Sequence, residues 1–141
     1  MASSRRRRRE SAPERLILDS GAVIGLARGD QRARAFLERA RELDVEVEIP
    51  VVVVAETARG QGPRAARLNR VLRAIDAIPP ATEEIGRLAG SLLNQASSSA
   101  TIDAMVVAQA IAAGGAAILT GDPADLAVLA SAHPEVTIQE L

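Results

Sequence analysis

Arg15-Leu16-Ile17-Leu18-Asp19-Ser20-Gly21 is the stretch on which the reading of the fold turns. A short apolar run between an arginine and a carboxylate is the pattern of a buried strand. Asp19 and Ser20 are residue types that cap helices, so the strand predicts an immediate turn into a short helix. That helix spans Gly21 to Ala27 and is closed by Gly29.

Further along, Asp30 is placed to cap a second helix, with Ala33, Phe36, Leu37 and Ala40 on one face at i, i+3, i+4, i+7. Val45 to Pro50 alternates apolar and acidic residues and makes a second strand. The run Val51-Val52-Val53-Val54-Ala55-Glu56 reads two ways. Its β-branched residues favour a strand, whereas Pro50 suits the first turn of a helix and Gly60 its stop. A helix is the expectation. Pro63 to Ile75 predicts another, with Leu68, Val71, Leu72 and Ile75 inward and arginines on the flanks. A short strand over Asp76 to Pro80 follows. Thr82 caps the next helix, with Glu83 and Glu84 in its first turn and Ile85, Leu88, Ala89 and Leu92 as its buried stripe. Beyond the polar linker Ser97 to Ser99, Ile102 to Ala113 is an Ala-rich helix stopped by Gly114-Gly115. Ala116 to Thr120 is a buried strand ending in Gly121-Asp122, a short helix follows Pro123, and Val136 to Gln139 is the last strand. Alternating strands and helices imply a parallel sheet covered on both faces, a three-layer α/β/α sandwich.

Composition agrees with that class. The 141 residues suffice for one domain with a real core. Phe36 is the only aromatic, so the core must be built from Ala, Val, Leu and Ile. The lack of cysteine excludes disulfide frameworks and thiolate zinc sites. No apolar run approaches the roughly 20 residues that span a bilayer. Arg5 to Arg9 are followed by Glu10, Ser11 and Pro13 instead of the apolar stretch of a secretory signal, so a cytoplasmic protein without membrane partners is expected. Residues 1–13 read as a disordered, arginine-rich tail ahead of a domain over 14–141.

Every basic residue is an arginine, and the charges are segregated. Arg59, Arg64, Arg67, Arg70 and Arg73 form a block with no acid inside it. Beyond Ala74, eight carboxylates face only Arg87. A basic region can hold a polyanion and an acidic one metal ions. Taken singly, each arginine reads equally as a solvated helix face.

In open parallel sheets, ligands bind beyond the carboxyl ends of the strands, where strand order reverses. Asp19 and Asp122 follow such ends, Asp103 lies in the first turn of the helix leading into the strand before Asp122, and Glu56 follows the second strand. All four have mostly apolar neighbours, where an unpaired carboxylate is costly to bury. With no lysine available and few arginines near Asp103 and Asp122, a divalent cation is the simplest neutraliser. Mg2+ and Mn2+ prefer oxygen ligands with waters completing the shell. They lower the pKa of water and offset charge on phosphate, which is phosphodiester hydrolysis. Alone, each acid also has a plain reading: Asp19 as a helix cap, Asp103 as a first-turn acid, Glu56 as a surface residue, Asp122 and Asp125 as turn residues around Pro123.

Four blocks resemble the ordered landmarks of PIN domains: Leu-Ile-Leu-Asp19-Ser20-Gly-Ala-Val-Ile, Glu56 after Ile-Pro-Val-Val-Val-Val-Ala, Ile-Asp103-Ala-Met-Val-Val-Ala-Gln-Ala, and Ala-Ile-Leu-Thr120-Gly-Asp122. They look most like the VapC-type toxins of bacterial toxin–antitoxin pairs, over about residues 15–141. The resemblance implies a central sheet of about five strands in the order 3-2-1-4-5. It implies that Asp19, Glu56, Asp103 and Asp122 hold one or two Mg2+ or Mn2+ ions, with Ser20 close by and Thr120 supporting the last acid by hydrogen bonding. It further implies a homodimer that cleaves structured RNA and is silenced by an antitoxin. Two features depart from the family pattern. The arginine tail is foreign to it, and Pro-Ala-Asp125-Leu lacks the aromatic residue common after the last acid, which leaves Asp125 as an additional ligand in doubt.

The expectation is therefore an endoribonuclease using Mg2+ or Mn2+, with arginines 59, 64, 67, 70 and 73 gripping the RNA backbone. No lysine or histidine is placed to act as general base, and His133 beside Pro134 reads as a loop residue. A PIN-like module that binds RNA or protein without cutting is the alternative. A nucleotide-binding or phospho-relay domain is disfavoured, since there is no G-x-G-x-x-G, no P-loop and no lysine. Gly21-x-x-x-Gly25 is only a weak echo of a dinucleotide turn.

Overall fold

A computed structural model describes residues 14–141, and the tail expected over 1–13 lies outside the described residues. The chain runs β1 (Arg15–Leu18), α1 (Ser20–Arg28), α2 (Gln31–Glu42), β2 (Glu46–Glu48), α3 (Val51–Thr57), α4 (Pro63–Ala74), α5 (Glu83–Ala96), α6 (Thr101–Ala112), β3 (Ala116–Thr120), α7 (Pro123–Leu129) and β4 (Val136–Glu140). The strands form one parallel sheet in the order β2-β1-β3-β4. Chain direction reverses across the sheet between β1 and β3: one connection leads outward to β2, the other to β4. Right-handed crossovers then place α1 and α2 on one face and α6 and α7 on the other. α4 packs on α1, and α5 on α6, completing the outer layers.

The strand expected over Asp76 to Pro80 shrinks to a single bridge, Ala77 beside Glu48 at the outer edge of β2. The Ala77 N–H donates to Val47 O at 3.3 Å and its carbonyl accepts from Ile49 N at 3.1 Å. The next outward N–H of β2, that of Val47, is taken by the Asp76 carboxylate at 2.8 Å. Pro79 and Pro80 have no N–H to extend a ladder. The order 3-2-1-4-5 is thus kept, with its third member reduced to one residue.

The valine run is a helix, as expected, but Pro50 stands at its N-cap in extended conformation (φ −62°, ψ 144°) instead of in its first turn. Only Val53 is fully buried there. The helix ends at Thr57, whose hydroxyl donates back to Val53 O at 2.8 Å, before Gly60 is reached. The core is aliphatic, centred on Ile17, Leu18, Ile118 and Leu119 of the inner strands with Val106 and Val107 of α6. The alternation in β2 leads one to expect outward-facing acids, yet Glu48 is buried. It is paired with Arg15 of β1 and accepts from Gln109 Nε2 of α6 at 3.3 Å.

Candidate active site

Asp19 ends β1 and occupies the N-cap position of α1, but its side chain accepts no capping bond. It is 6 % exposed. Among the described residues no cationic side chain pairs with it. Its one side-chain partner is the fully buried Thr120 hydroxyl, which donates to Asp19 Oδ2 at 3.0 Å. The same hydroxyl accepts the Asp122 backbone N–H at 3.0 Å. Thr120 therefore fixes the ends of both inner strands: it orients the carboxylate of one and the turn that follows the other. The resemblance suggested a bond to the last acid; the hydroxyl meets that residue's backbone, and the carboxylate it holds is Asp19.

The two turns also meet directly. A Cβ placed on Gly21 would lie 3.0 Å from the Gly121 nitrogen and 3.3 Å from its Cα. The backbones of the loops after β1 and β3 touch because neither has a side chain there. This is the place where strand order reverses, the position at which an α/β sheet offers its ligand site.

Other acids lie within electrostatic reach of Asp19. Asp103 lies in the first turn of α6 and is half-buried, Glu56 sits half-buried on α3, and Asp122 and Asp125 are exposed at the start of α7. Burial pushes the Asp103 carboxyl up to about 6, and the charges of Asp19, Asp125, Glu56 and Asp122 push it the same way. Burial and the Asp19 charge likewise raise Glu56, against the pull of Arg59. Neighbouring carboxylates raise Asp103 and Glu56, and Arg59 opposes them only at Glu56, so the neighbourhood carries net negative charge. Asp125, which sequence alone left in doubt, is part of that field. Ser20, half-buried at the first residue of α1, bonds through its side chain to none of the described residues.

The donor set has the chemistry that suits a hard divalent ion: oxygen only, drawn from four elements, with the buried Asp19 carboxylate among them. Repulsion, however, reaches further than coordination. Among the described residues no three acidic or imidazole side chains are close enough to cage an ion by themselves. Water would complete any shell, as is usual for Mg2+ with one or two protein carboxylates.

The arginine block lies on α4 and the loop before it, all of it exposed. Arg59 is the member within electrostatic reach of an acid of the cluster. Arg28 of α1 lines the same groove as Arg59, Arg64 and Arg67. The sequence reading did not single it out, because nothing in its neighbourhood along the chain marks it. His133 is half-buried in the turn before β4, with Nδ1 3.3 Å from Glu135 Oε1, at the opposite end of that strand from the acids.

Residues 16–131 match the family model of the PIN domain. No curated protein matches the chain. Among solved structures, a chain from the crystal structure of VapBC2 from Rickettsia felis, bound to a DNA fragment from their promoter, superposes with a TM-score of 0.71. The two are 15 % identical, and the match covers 89 % of this chain and 98 % of that one. At that identity the likeness concerns the fold.

Proposed function

This chain belongs to the PIN domain family, and on that premise we propose that it is an endoribonuclease dependent on Mg2+ or Mn2+, the toxin of a toxin–antitoxin pair. One observation carries the reading: Asp19 is buried at the switch point without a cap bond or a cation, and burial together with the charges of Asp19, Asp125, Glu56 and Asp122 lifts the neighbouring Asp103 to about 6. A surface cap or a structural ion pair would not be built this way.

In this reading Asp19, Glu56 and Asp103 hold the ion, with Asp122 a further ligand directly or through water and Asp125 beside it. The ion supplies an activated water and offsets the charge that develops on the phosphate. Thr120 keeps the Asp19 carboxylate oriented, and the Gly21–Gly121 contact keeps the two strand ends close. Among the described residues no lysine or histidine is placed as a general base. An antitoxin partner is carried over from the VapBC2 neighbour, and a homodimer and a cytoplasmic setting from the toxin type. Among the described residues no helix is long and apolar enough to cross a membrane.

The test is cleavage of RNA by the pure protein with Mn2+. Asp19→Asn lowers the rate at least about 100-fold if the carboxylate is a ligand, with circular dichroism unchanged. Full activity in that variant ends the assignment. That no three carboxylates among the described residues form a ready-made cage favours a second reading, a PIN fold that binds RNA or protein without cutting. Cleavage that requires Mn2+ and stops with EDTA excludes it.

A further inference from the structure

The arginines are not spread evenly over the helices. Between α1, the end of α3 and α4 runs a groove of about 310 Å3 whose walls carry Arg28, Arg59, Arg64 and Arg67. Its apolar lining includes Ile24 and Leu68, and among the described residues no acidic side chain lines it. Among the described residues, none of the four guanidinium groups is in a salt bridge; Arg67 makes only a long bond to Pro63 O within its own helix. Like charges are gathered here, with Arg59 in electrostatic reach of one acid, Glu56. A second groove of about 560 Å3 shares Arg28 and Arg67 and adds Arg34, Arg41 and Arg70, with Glu38 as its one acid. The arginines thus form one track over two joined grooves. Arg73 lines neither.

We propose that the smaller groove is a subsite for one unpaired nucleotide of the substrate, its phosphates on Arg28, Arg59, Arg64 and Arg67 and its base against Ile24 and Leu68. The inference rests on the nuclease reading, since the groove matters to catalysis only if the acids cut. Three features select this occupant. Planar guanidinium groups match phosphate oxygens two at a time. The apolar lining accepts the flat face of a base, and with Phe36 the sole aromatic, guanidinium planes and Ile24 must supply what rings supply elsewhere. The volume is at the small end for a pocket taking one small molecule, and tight for a peptide helix about 10 Å across. The groove also leads to the acids. Thr57 lines it one residue beyond Glu56, and Arg59 reaches Glu56 electrostatically. A strand seated here passes the Glu56 end of α3.

Binding of a short unstructured oligoribonucleotide, followed by fluorescence anisotropy in EDTA, separates affinity from cleavage. Arg28→Ala and Arg64→Ala each weaken binding by about fivefold and lower the slope of log affinity against log salt by about 0.7. Arg87→Ala, on α5 and outside the track, leaves both unchanged. Ile24→Ser, at a position 37 % exposed, weakens the oligonucleotide but not inorganic polyphosphate. Unaltered affinity and slope in the Arg28→Ala, Arg64→Ala double variant overturn the proposal. So does tighter binding of polyglutamate than of RNA at equal charge, lost in the same variants, which would make the groove a protein-docking surface. Parent protein that binds RNA through the groove yet never cuts it with Mn2+ removes the catalytic reading and keeps the subsite. Parent that cuts, with groove variants binding as it does, removes the subsite alone.

Discussion

Asp19 and Asp30 stand at the same position of successive helices and differ in what their carboxylates do. Asp30 accepts the Ala33 N–H at 2.9 Å, an ordinary cap. Asp19 gives up that bond and turns to Thr120. Replacing Thr120 by Val removes the donor from a buried carboxylate and the acceptor from the Asp122 N–H. We expect a loss of about 1–3 kcal/mol in urea unfolding, largely recovered by Thr120→Ser. Wild-type stability in the Val variant would show that the hydroxyl holds nothing. Asp103 gives a pH prediction. Its folded pKa, about 6, lies above the usual 3.8, so the native state binds the proton more tightly than the unfolded chain does. Its contribution is therefore fully present below about pH 4 and lost as pH rises through 6. The side chain is half-exposed and solvent-screened, which holds the effect to about 1 kcal/mol or less. In EDTA, Asp103→Asn should raise Tm by about 3 °C at pH 7 and leave it unchanged at pH 4. A constant offset between the two proteins across that range would contradict the linkage.

Among the elements, the joint between α6 and β3 is the most constrained. Gly115 has φ +120°, and a Cβ there would lie 2.8 Å from the Glu135 carbonyl oxygen. Its neighbour Gly114, at φ +85°, has nothing within 4 Å. Gly115→Ala must push apart the backbone on which β3 and β4 pair, at a cost of about 3 kcal/mol or more. Gly114→Ala faces only the left-handed penalty, about 1 kcal/mol. Denaturant midpoints that rank the two variants the other way would refute this account of the turn. The same scale explains the misread strand over Asp76 to Pro80. Two prolines and a side chain that captures the edge N–H leave one residue able to pair. The valine run became a helix for a related reason. β2 already ends at Glu48, and the helix buries Val53 beside α1 and α6, against its propensity.

At the scale of the whole molecule, a group of acids near the strand ends lies beside a track of arginines. In the proposed reading, a bound cation would relieve the repulsion that neighbouring carboxylates exert on Asp103 and Glu56. Mn2+ at about 100 times its Kd should therefore raise stability by about 2.7 kcal/mol, about 10 °C in Tm for a domain this size. EDTA should reverse the shift, and Asp19→Asn should abolish most of it. A melting temperature indifferent to Mn2+ would argue that the acids do not converge on an ion.

Periodicity along the chain was enough to fix what short-range physics controls. The helix caps at Asp30 and Thr82, the glycine stop after α6, the buried inner strands and the alternation that makes the sheet parallel are all set by residues within a turn or two of one another. The positions of Asp19 and Asp122 beyond strand ends were legible for the same reason. Contacts between distant segments were not. That Glu48 is buried against Arg15 and Gln109, that Thr120 bonds Asp19, that Gly21 meets Gly121, and that Arg28 joins the arginines of α4 all depend on which strands and helices become neighbours. One local pattern fits many such pairings, and only the packed sheet, with its register and its reversal between β1 and β3, selects among them.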